Sequence, residues 1–306
     1  MQFHLRSNMR TIKLEKSYPG DYKGMKPSEK DYDLLLNESA RVLKPDGSLL
    51  CVLVKNAVPM EMISAAWENI KTYNPKTDNR GIATGVDSIR MIKKDGSISN
   101  TSRVPKIFEV TSGVIGFYDR YPRIPFCRKC SWNQNNPEKF SAMLPLFRKV
   151  NDVHREHAPE FYEMQKAVVD KTSEDFVIPG TVYTTITLNK NFRTAVHLDA
   201  KNYDAVAPML LIREGRYSGG YVVFPEYRVA ASMDTSDVII FRNMIDWHGN
   251  TPIVQLSKKY QRCTMVFYYR EGMINCGSAD EELERSKRRQ RGEPIQNDKL
   301  NKMMKE

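Results

Sequence analysis

Ile178-Pro179-Gly180-Thr181-Val182-Tyr183-Thr184-Thr185-Ile186-Thr187-Leu188-Asn189 is the stretch at which the chain changes character. Val182, Thr184, Ile186 and Leu188 alternate with their neighbours, the two-residue period of a strand that buries one face. Further β signals follow at Leu210-Leu211-Ile212, Tyr221-Val222-Val223-Phe224, Val238-Ile239-Ile240-Phe241 and Met265-Val266-Phe267-Tyr268-Tyr269, with turns at Gly215, Gly219-Gly220 and Gly249-Asn250. Short strands at this spacing predict a double-sheet jelly roll.

Upstream the period lengthens. Phe140, Met143, Leu144, Phe147, Val150 and Val153, then Phe161, Met164 and Val168, recur at helical spacing and predict two helices broken near Pro159. Residues 48–54 form a short apolar run that fits a buried strand, and Pro59 opens a helix to about Tyr73. Residues 31–43 suggest a helix closed by Pro45-Asp46-Gly47, while residues 1–28 are polar and suggest a loosely ordered lead-in. The expected class is α+β: a jelly-roll core over about 176–270 with flanking helices, in a single catalytic domain from 29 to 270, then a flexible basic tail over 271–306.

Bulk properties narrow the function classes. With 306 residues, 41% hydrophobic and 27% charged, the chain can bury a full core, and no run of about 18 apolar residues offers a membrane span. The first residues lack the apolar core of a secretory signal, so a cytoplasmic protein with reduced thiols is expected. Five scattered cysteines argue against a disulfide framework; Cys127 and Cys130 are spaced like a metal pair, but no second pair completes a zinc site. A net charge of +10 suggests a polyanionic partner, and Lys287, Arg288, Arg289 and Arg291 concentrate part of that excess near the end.

Two of the five histidines stand in unusual settings. In His197-Leu198-Asp199 the outer residues point to one side of an extended segment, so one imidazole and one carboxylate can bind a single ion. His248 lies 51 residues later, after three predicted strands, so a neighbouring strand can deliver it. Two imidazoles and a carboxylate leave coordination positions open, the facial arrangement of non-haem Fe(II) oxygenases that take dioxygen and a 2-oxo acid. Arg262, with Thr264 on the same face, offers a guanidinium fork for the distal carboxylate of 2-oxoglutarate. The HxD alone is weak; the order HxD, a gap of about fifty residues, His and then Arg-x-Thr within a β-rich half is specific.

The run from Gly180 to Asn189, then Asn191-Phe192-Arg193-Thr194-Ala195-Val196-His197-Leu198-Asp199, resembles the TET/JBP family of nucleic-acid base dioxygenases. So do Gly219-Gly220 through Phe224-Pro225-Glu226-Tyr227, and Trp247-His248-Gly249-Asn250-Thr251-Pro252. The resemblance runs from about 48 to 270, and the chain's small size looks like the bacteriophage branch, whose setting is an infected bacterial cell. It implies oxidation of the 5-methyl group of a pyrimidine in DNA, using Fe(II), 2-oxoglutarate and dioxygen on a double-stranded β-helix. It further implies that His197, Asp199 and His248 hold the iron, that Arg262 anchors 2-oxoglutarate, and that Asn202, Arg80 and Arg193 lie on the substrate side. An Asn at 202 looks more like the 5-methylcytosine branch than the thymine branch, where an acidic residue is expected. The expected partner is duplex DNA with its target base flipped into the pocket, bound by a monomer.

His154 and His157 could approach one another on a helix, but no third ligand follows at suitable spacing. Residues 118–129 interleave aromatic and basic side chains, which suits base stacking with phosphate contacts and equally suits a Pro-bent loop packed on the core; Trp132 is expected on the same surface. Two other function classes compete: a thymine hydroxylase with the same iron site, and a non-catalytic DNA-binding jelly roll, for which an oxo-acid anchor has no use. A small-molecule or protein hydroxylase leaves the basic excess unexplained.

Overall fold

Leu49–Val54 buries all six of its side chains, as a strand flanked on both edges and covered on both faces must. Around it, a computed structural model describes residues 9–85, 89–92, 98–104 and 109–295. Strands β1 (Arg10–Lys13), β2 (Leu34–Leu36), β3 (Ala40–Leu43) and β4 (Leu49–Val54) precede helix α1 (Met60–Ile70). Then come β5 (Lys76–Thr77), β6 (Ile89–Ile92), β7 (Ile98–Val104), β8 (Val110–Tyr118) and β9 (Arg128–Lys129), followed by α2 (Ser131–Asn135), α3 (Pro137–His157) and α4 (Pro159–Val169). The rest carries β10 (Thr185–Lys190), β11 (Ala207–Gly219), β12 (Val222–Phe224), β13 (Val229–Ala231), β14 (Val238–Phe241), β15 (Gly249–Asn250), β16 (Ile253–Tyr268) and α5 (Ala279–Gln290).

The strands form a jelly roll. The larger sheet runs β1-β3-β4-β14-β11-β16-β10-β8-β5 and the smaller β15-β12-β13-β2. One core lies between the larger sheet and the helices: Met143, Leu146, Phe147 and Val150 of α3 pack with Ile186, Leu188, Met265 and Phe267. Phe147 meets Phe267 edge to face at 5.8 Å. A second core, with Leu211, Ile239, Phe224 and Ala231, lies between the sheets. Each large aliphatic or aromatic side chain so buried contributes about 1.5–3 kcal/mol.

The expected helices at 137–172, broken before Pro159, are α3 and α4, and the strand at 48–54 is β4. The helix expected over 31–43 is instead two strands. Ala40–Leu43 alternates buried and half-buried positions and pairs on both edges, with β1 and β4, while Leu34–Leu36 runs parallel to β13. Pairing with distant strands outweighs the local helical reading of this leucine-rich run. The lead-in is also corrected: β1 joins the sheet, Tyr18 donates its N–H to the Glu226 carbonyl (2.7 Å), and Met25 accepts from the N–H of Val196 (2.7 Å). The tail likewise contains α5, opened by a Ser278–Glu281 capping box and anchored by the buried Glu282. Residues 1–8 and 296–306 of these two segments lie outside the described residues.

Two smaller expectations change. Cys127 and Cys276 form a disulfide, against the expectation of reduced thiols, whereas Cys130 stays free and buried. Trp132 is buried against Tyr73 (ring centroids 5.8 Å apart) and belongs to the core rather than to a surface. His154 stacks on Tyr183, with Nδ1 3.1 Å from its hydroxyl, and burial pushes its pKa down to about 3, so it is a neutral core residue. No helix of the described residues is long and apolar enough to cross a membrane.

Candidate metal centre and substrate pocket

Strands β10 and β16 pair antiparallel, and the pleat sends their side chains alternately to two faces. Ile186, Leu188, Met265 and Phe267 enter the helical core. Thr187, Asn189, Arg262, Thr264 and Tyr268 line the opposite side, a cavity of about 400 Å³. That volume is within the range of small-ligand sites, about 300–1,000 Å³.

The segment after β10 crosses the mouth of this cavity and brings His197 beside His248. Their backbones form an isolated antiparallel bridge, each N–H donating to the other's carbonyl (2.9 and 3.2 Å). The Asp199 N–H donates to the Asn243 carbonyl (2.9 Å), which places its carboxylate next to both rings. Ligand atoms of His197, Asp199 and His248 all lie within 4.8 Å of one another, the only such His/Cys/Asp/Glu group among the described residues.

The surrounding hydrogen bonds fit an ion. His197 Nδ1 lies 2.8 Å from the Ala195 carbonyl and His248 Nδ1 2.9 Å from the Asp246 carbonyl. A carbonyl only accepts, so each Nδ1 carries the proton and each Nε2 keeps a free lone pair. Asn243 donates to Asp199 Oδ2 (2.7 Å), leaving Oδ1 to face His197 Nε2 at 3.4 Å. Burial pushes His248 down to about 4, and the neighbouring His197 adds to this. Burial also works against a charged His197, but Asp199 outweighs it and the pKa is raised. The Asp199 carboxylate, disfavoured by burial, is held below its usual range by His197 and His248. The Asp199 carboxylate thus favours positive charge at this cluster, which a divalent ion would supply.

Arg262 is 4% exposed and forms no ion pair with any described residue; its guanidinium donates to the Gly220 carbonyl, 2.9 Å from Nη2. Burial disfavours its charge. Gly220 has φ +71°, and a Cβ there would sit 2.8 Å from Arg262 Nε, so the guanidinium needs glycine at that position. A buried cation facing a cavity without a counter-ion fits an anionic ligand. Thr264 lies two residues along the same face.

Asn202 is buried at the cavity wall, and Arg80 lines the cavity with a buried, unpartnered Nε. Arg193 is not brought to the lining: its Nη2 donates to the Pro27 carbonyl (3.1 Å) and ties the loop to the N-terminal segment. Sequence reasoning missed Thr187, Asn189, Tyr268, Arg270 and Asn243. The first two were detectable as the polar partners in the alternation with Ile186 and Leu188. Asn243 carried no signal, since only the fold sets it against Asp199.

The model for the oxygenase domain of the 2OGFeDO superfamily, Tet_JBP, matches residues 114–271, just over half of the chain. The bifunctional helicase and thymine dioxygenase JBP2 of Trypanosoma brucei brucei is 27% identical over 253 residues, 81% of this chain and 21% of that protein. The thymine dioxygenase JBP1 of Leishmania braziliensis is 33% identical over 204 residues, 64% of this chain and 24% of that protein. The chain thus spans about a fifth to a quarter of the length of these relatives. The solved structure of NgTET1 in complex with 5mC DNA is similar in fold, with a TM-score of 0.58 and 13% identity, covering 92% of this chain and 91% of that one.

Proposed function

Since this chain belongs to the Tet/JBP family of Fe(II)- and 2-oxoglutarate-dependent oxygenase domains, we propose that it oxidises the 5-methyl group of a pyrimidine in DNA. The observation that carries this reading is the convergence of the His197–Asp199–His248 cluster and the unpaired Arg262 on one cavity. Fe(II) held by the cluster would supply oxidation by dioxygen, with 2-oxoglutarate going to succinate and carbon dioxide while one oxygen atom enters the methyl C–H bond. Arg262 pairs with the distal carboxylate of 2-oxoglutarate, and the Thr264 hydroxyl adds a hydrogen bond beside it. The net charge of +10 supports a polyanionic substrate. The target base leaves the stack to reach the pocket, since the methyl group is screened within a duplex in the geometry required.

The base is 5-methylcytosine on the reading of Asn202, whose amide can accept from the cytosine amino group at the cavity wall. Thymine is the second reading, favoured by the thymine dioxygenases to which the chain is 27% and 33% identical. Nucleoside mass spectrometry after incubation of methylated and unmethylated duplexes with Fe(II) and 2-oxoglutarate separates them. 5-Hydroxymethylcytosine from the methylated duplex alone is the expected product; 5-hydroxymethyluracil from both supports thymine. Neither product, alongside succinate release, would overturn DNA as the substrate.

A further inference from the structure

The turn Tyr121-Pro122-Arg123-Ile124 adjoins Lys201, whose chain neighbours Ala200 and Asn202 line the cavity, and is held more firmly than a solvated loop requires. It is closed by two backbone hydrogen bonds, from Tyr121 N–H to the Ile124 carbonyl (2.9 Å) and from Ile124 N–H to the Tyr121 carbonyl (2.8 Å). Asp119, two residues before it, pairs with Arg270 at 2.7 Å, and Arg270 itself lines the cavity. Arg120 binds the buried carboxylate of Glu282 on α5, which also accepts from the N–H of Cys127 (2.6 Å). Cys127 is bonded to Cys276, and Arg285 donates to the Pro125 carbonyl (3.3 Å).

What these ties present is an aromatic ring in solvent. Tyr121 is 47% exposed. Its ring is capped by the ammonium of Lys201, 5.2 Å from the centroid, and Lys201 lies between Ala200 and Asn202, both of which line the cavity. Lys201 has φ +64°, a conformation strained for a residue with a Cβ, and its carbonyl is held by the Glu271 N–H (3.1 Å). Arg123, exposed at the tip, makes no ion pair among the described residues. An exposed aromatic with one cation over its ring and another two residues along the same turn, mounted beside residues next to the cavity lining, has the chemistry of a surface that stacks on bases and contacts phosphates.

We propose that this turn is a wedge that opens the duplex at the target step. Tyr121 stacks in the space vacated by the flipped nucleotide, while Lys201 and Arg123 contact the phosphates on either side. The turn stabilises the extruded state, which duplex DNA otherwise resists through pairing and stacking. This inference rests on the reading of the cavity as a site for a flipped pyrimidine.

The test compares Tyr121→Ala and Tyr121→Phe with wild type on one target strand, single-stranded and paired. The ratio of duplex to single-strand oxidation falls about tenfold or more in Tyr121→Ala and stays near wild type in Tyr121→Phe, because the phenyl ring still stacks. Placing the target opposite an abasic site restores much of the loss, since less pairing has to be broken. A ratio unchanged in Tyr121→Ala overturns the wedge while leaving the oxidation reading intact. Wild-type protein that oxidises neither form overturns the oxidation reading instead. In that case fluorescence of a 2-aminopurine beside the target decides the wedge separately: it rises on wild-type binding and rises less with Tyr121→Ala, and equal rises refute it.

Discussion

The two faces of β10 and β16 are built from alternate residues of the same two strands yet obey different rules. On the helical side Ile186, Leu188, Met265 and Phe267 are fully buried, apolar and packed against α3. On the cavity side Arg262 and Thr264 are buried and Thr187 and Asn189 half-buried, but all four are polar, and Arg262 has no counter-ion among the described residues. One face stabilises the fold, and the other turns polar groups to the cavity, among them a buried guanidinium whose charge an anionic ligand would balance. The difference shows that stability and chemistry are separated here by a rotation of one residue along a strand.

Substitutions on the two faces should therefore have opposite signatures. The largest effect is expected for Asp199→Ala, which removes the carboxylate of the cluster: oxidised base falls below detection by mass spectrometry, while the melting temperature stays near wild type. Unfolding of this variant would show that the cavity face also holds the fold together. Phe267→Ala, on the other face, should cost about 3–5 kcal/mol in chemical denaturation, because it leaves a cavity beside Phe147.

Arg262→Met sharpens the contrast. Loss of a charge-assisted pair in a desolvated site costs about 2–5 kcal/mol of binding, so the apparent requirement for 2-oxoglutarate rises by about thirtyfold or more. Without ligand the same variant should melt no lower than wild type, since an uncompensated buried charge has been removed. An unaltered 2-oxoglutarate titration would assign the anchor to another cation, with Arg80 the next candidate. Asn202→Ala should leave Fe(II) affinity intact and cost about 1–3 kcal/mol of transition-state binding, read as less hydroxymethyl base per succinate. Equal coupling in wild type and variant removes Asn202 from the base pocket.

The smallest effect concerns the clasp of α5. Burial opposes ionisation of Glu282, but Arg120 and the N–H groups of Gly277 and Cys127 outweigh it and lower its pKa. A carboxyl lowered on folding stabilises the protein above its unfolded pKa of about 4.3, and that contribution is lost as the pH falls through the lower folded value. Thermal melting of Glu282→Gln should accordingly lie below wild type near neutral pH and converge with it in acid. Parallel curves at all pH values would show that the carboxylate adds nothing.

Much of this contrast was legible in the chain. The alternation reaching Leu188 and the apolar runs at 238–241 and 265–269 identify strands, although the first of these starts only at Thr185, after the irregular residues 181–184. The candidate metal ligands and their order, His197, Asp199 and His248, were also readable from the sequence by itself, because facial coordination with open positions calls for two imidazoles and a carboxylate, and Arg262 follows them as the candidate anchor. The two strands within 34–43 were not legible, since their partners β1, β4 and β13 are distant or later in the chain. Nor was the clasp, in which Asp119, Arg120 and Cys127 meet Arg270, Glu282 and Cys276 across some 150 residues or more. Only the tertiary structure decided that Asn243 faces Asp199, that Arg193 turns toward Pro27 and that Tyr121 meets Lys201. Local pattern reports the period of burial along one segment. Which segments become neighbours is set by pairing and packing between strands far apart in the chain, and the positions of these residues depend on that closure.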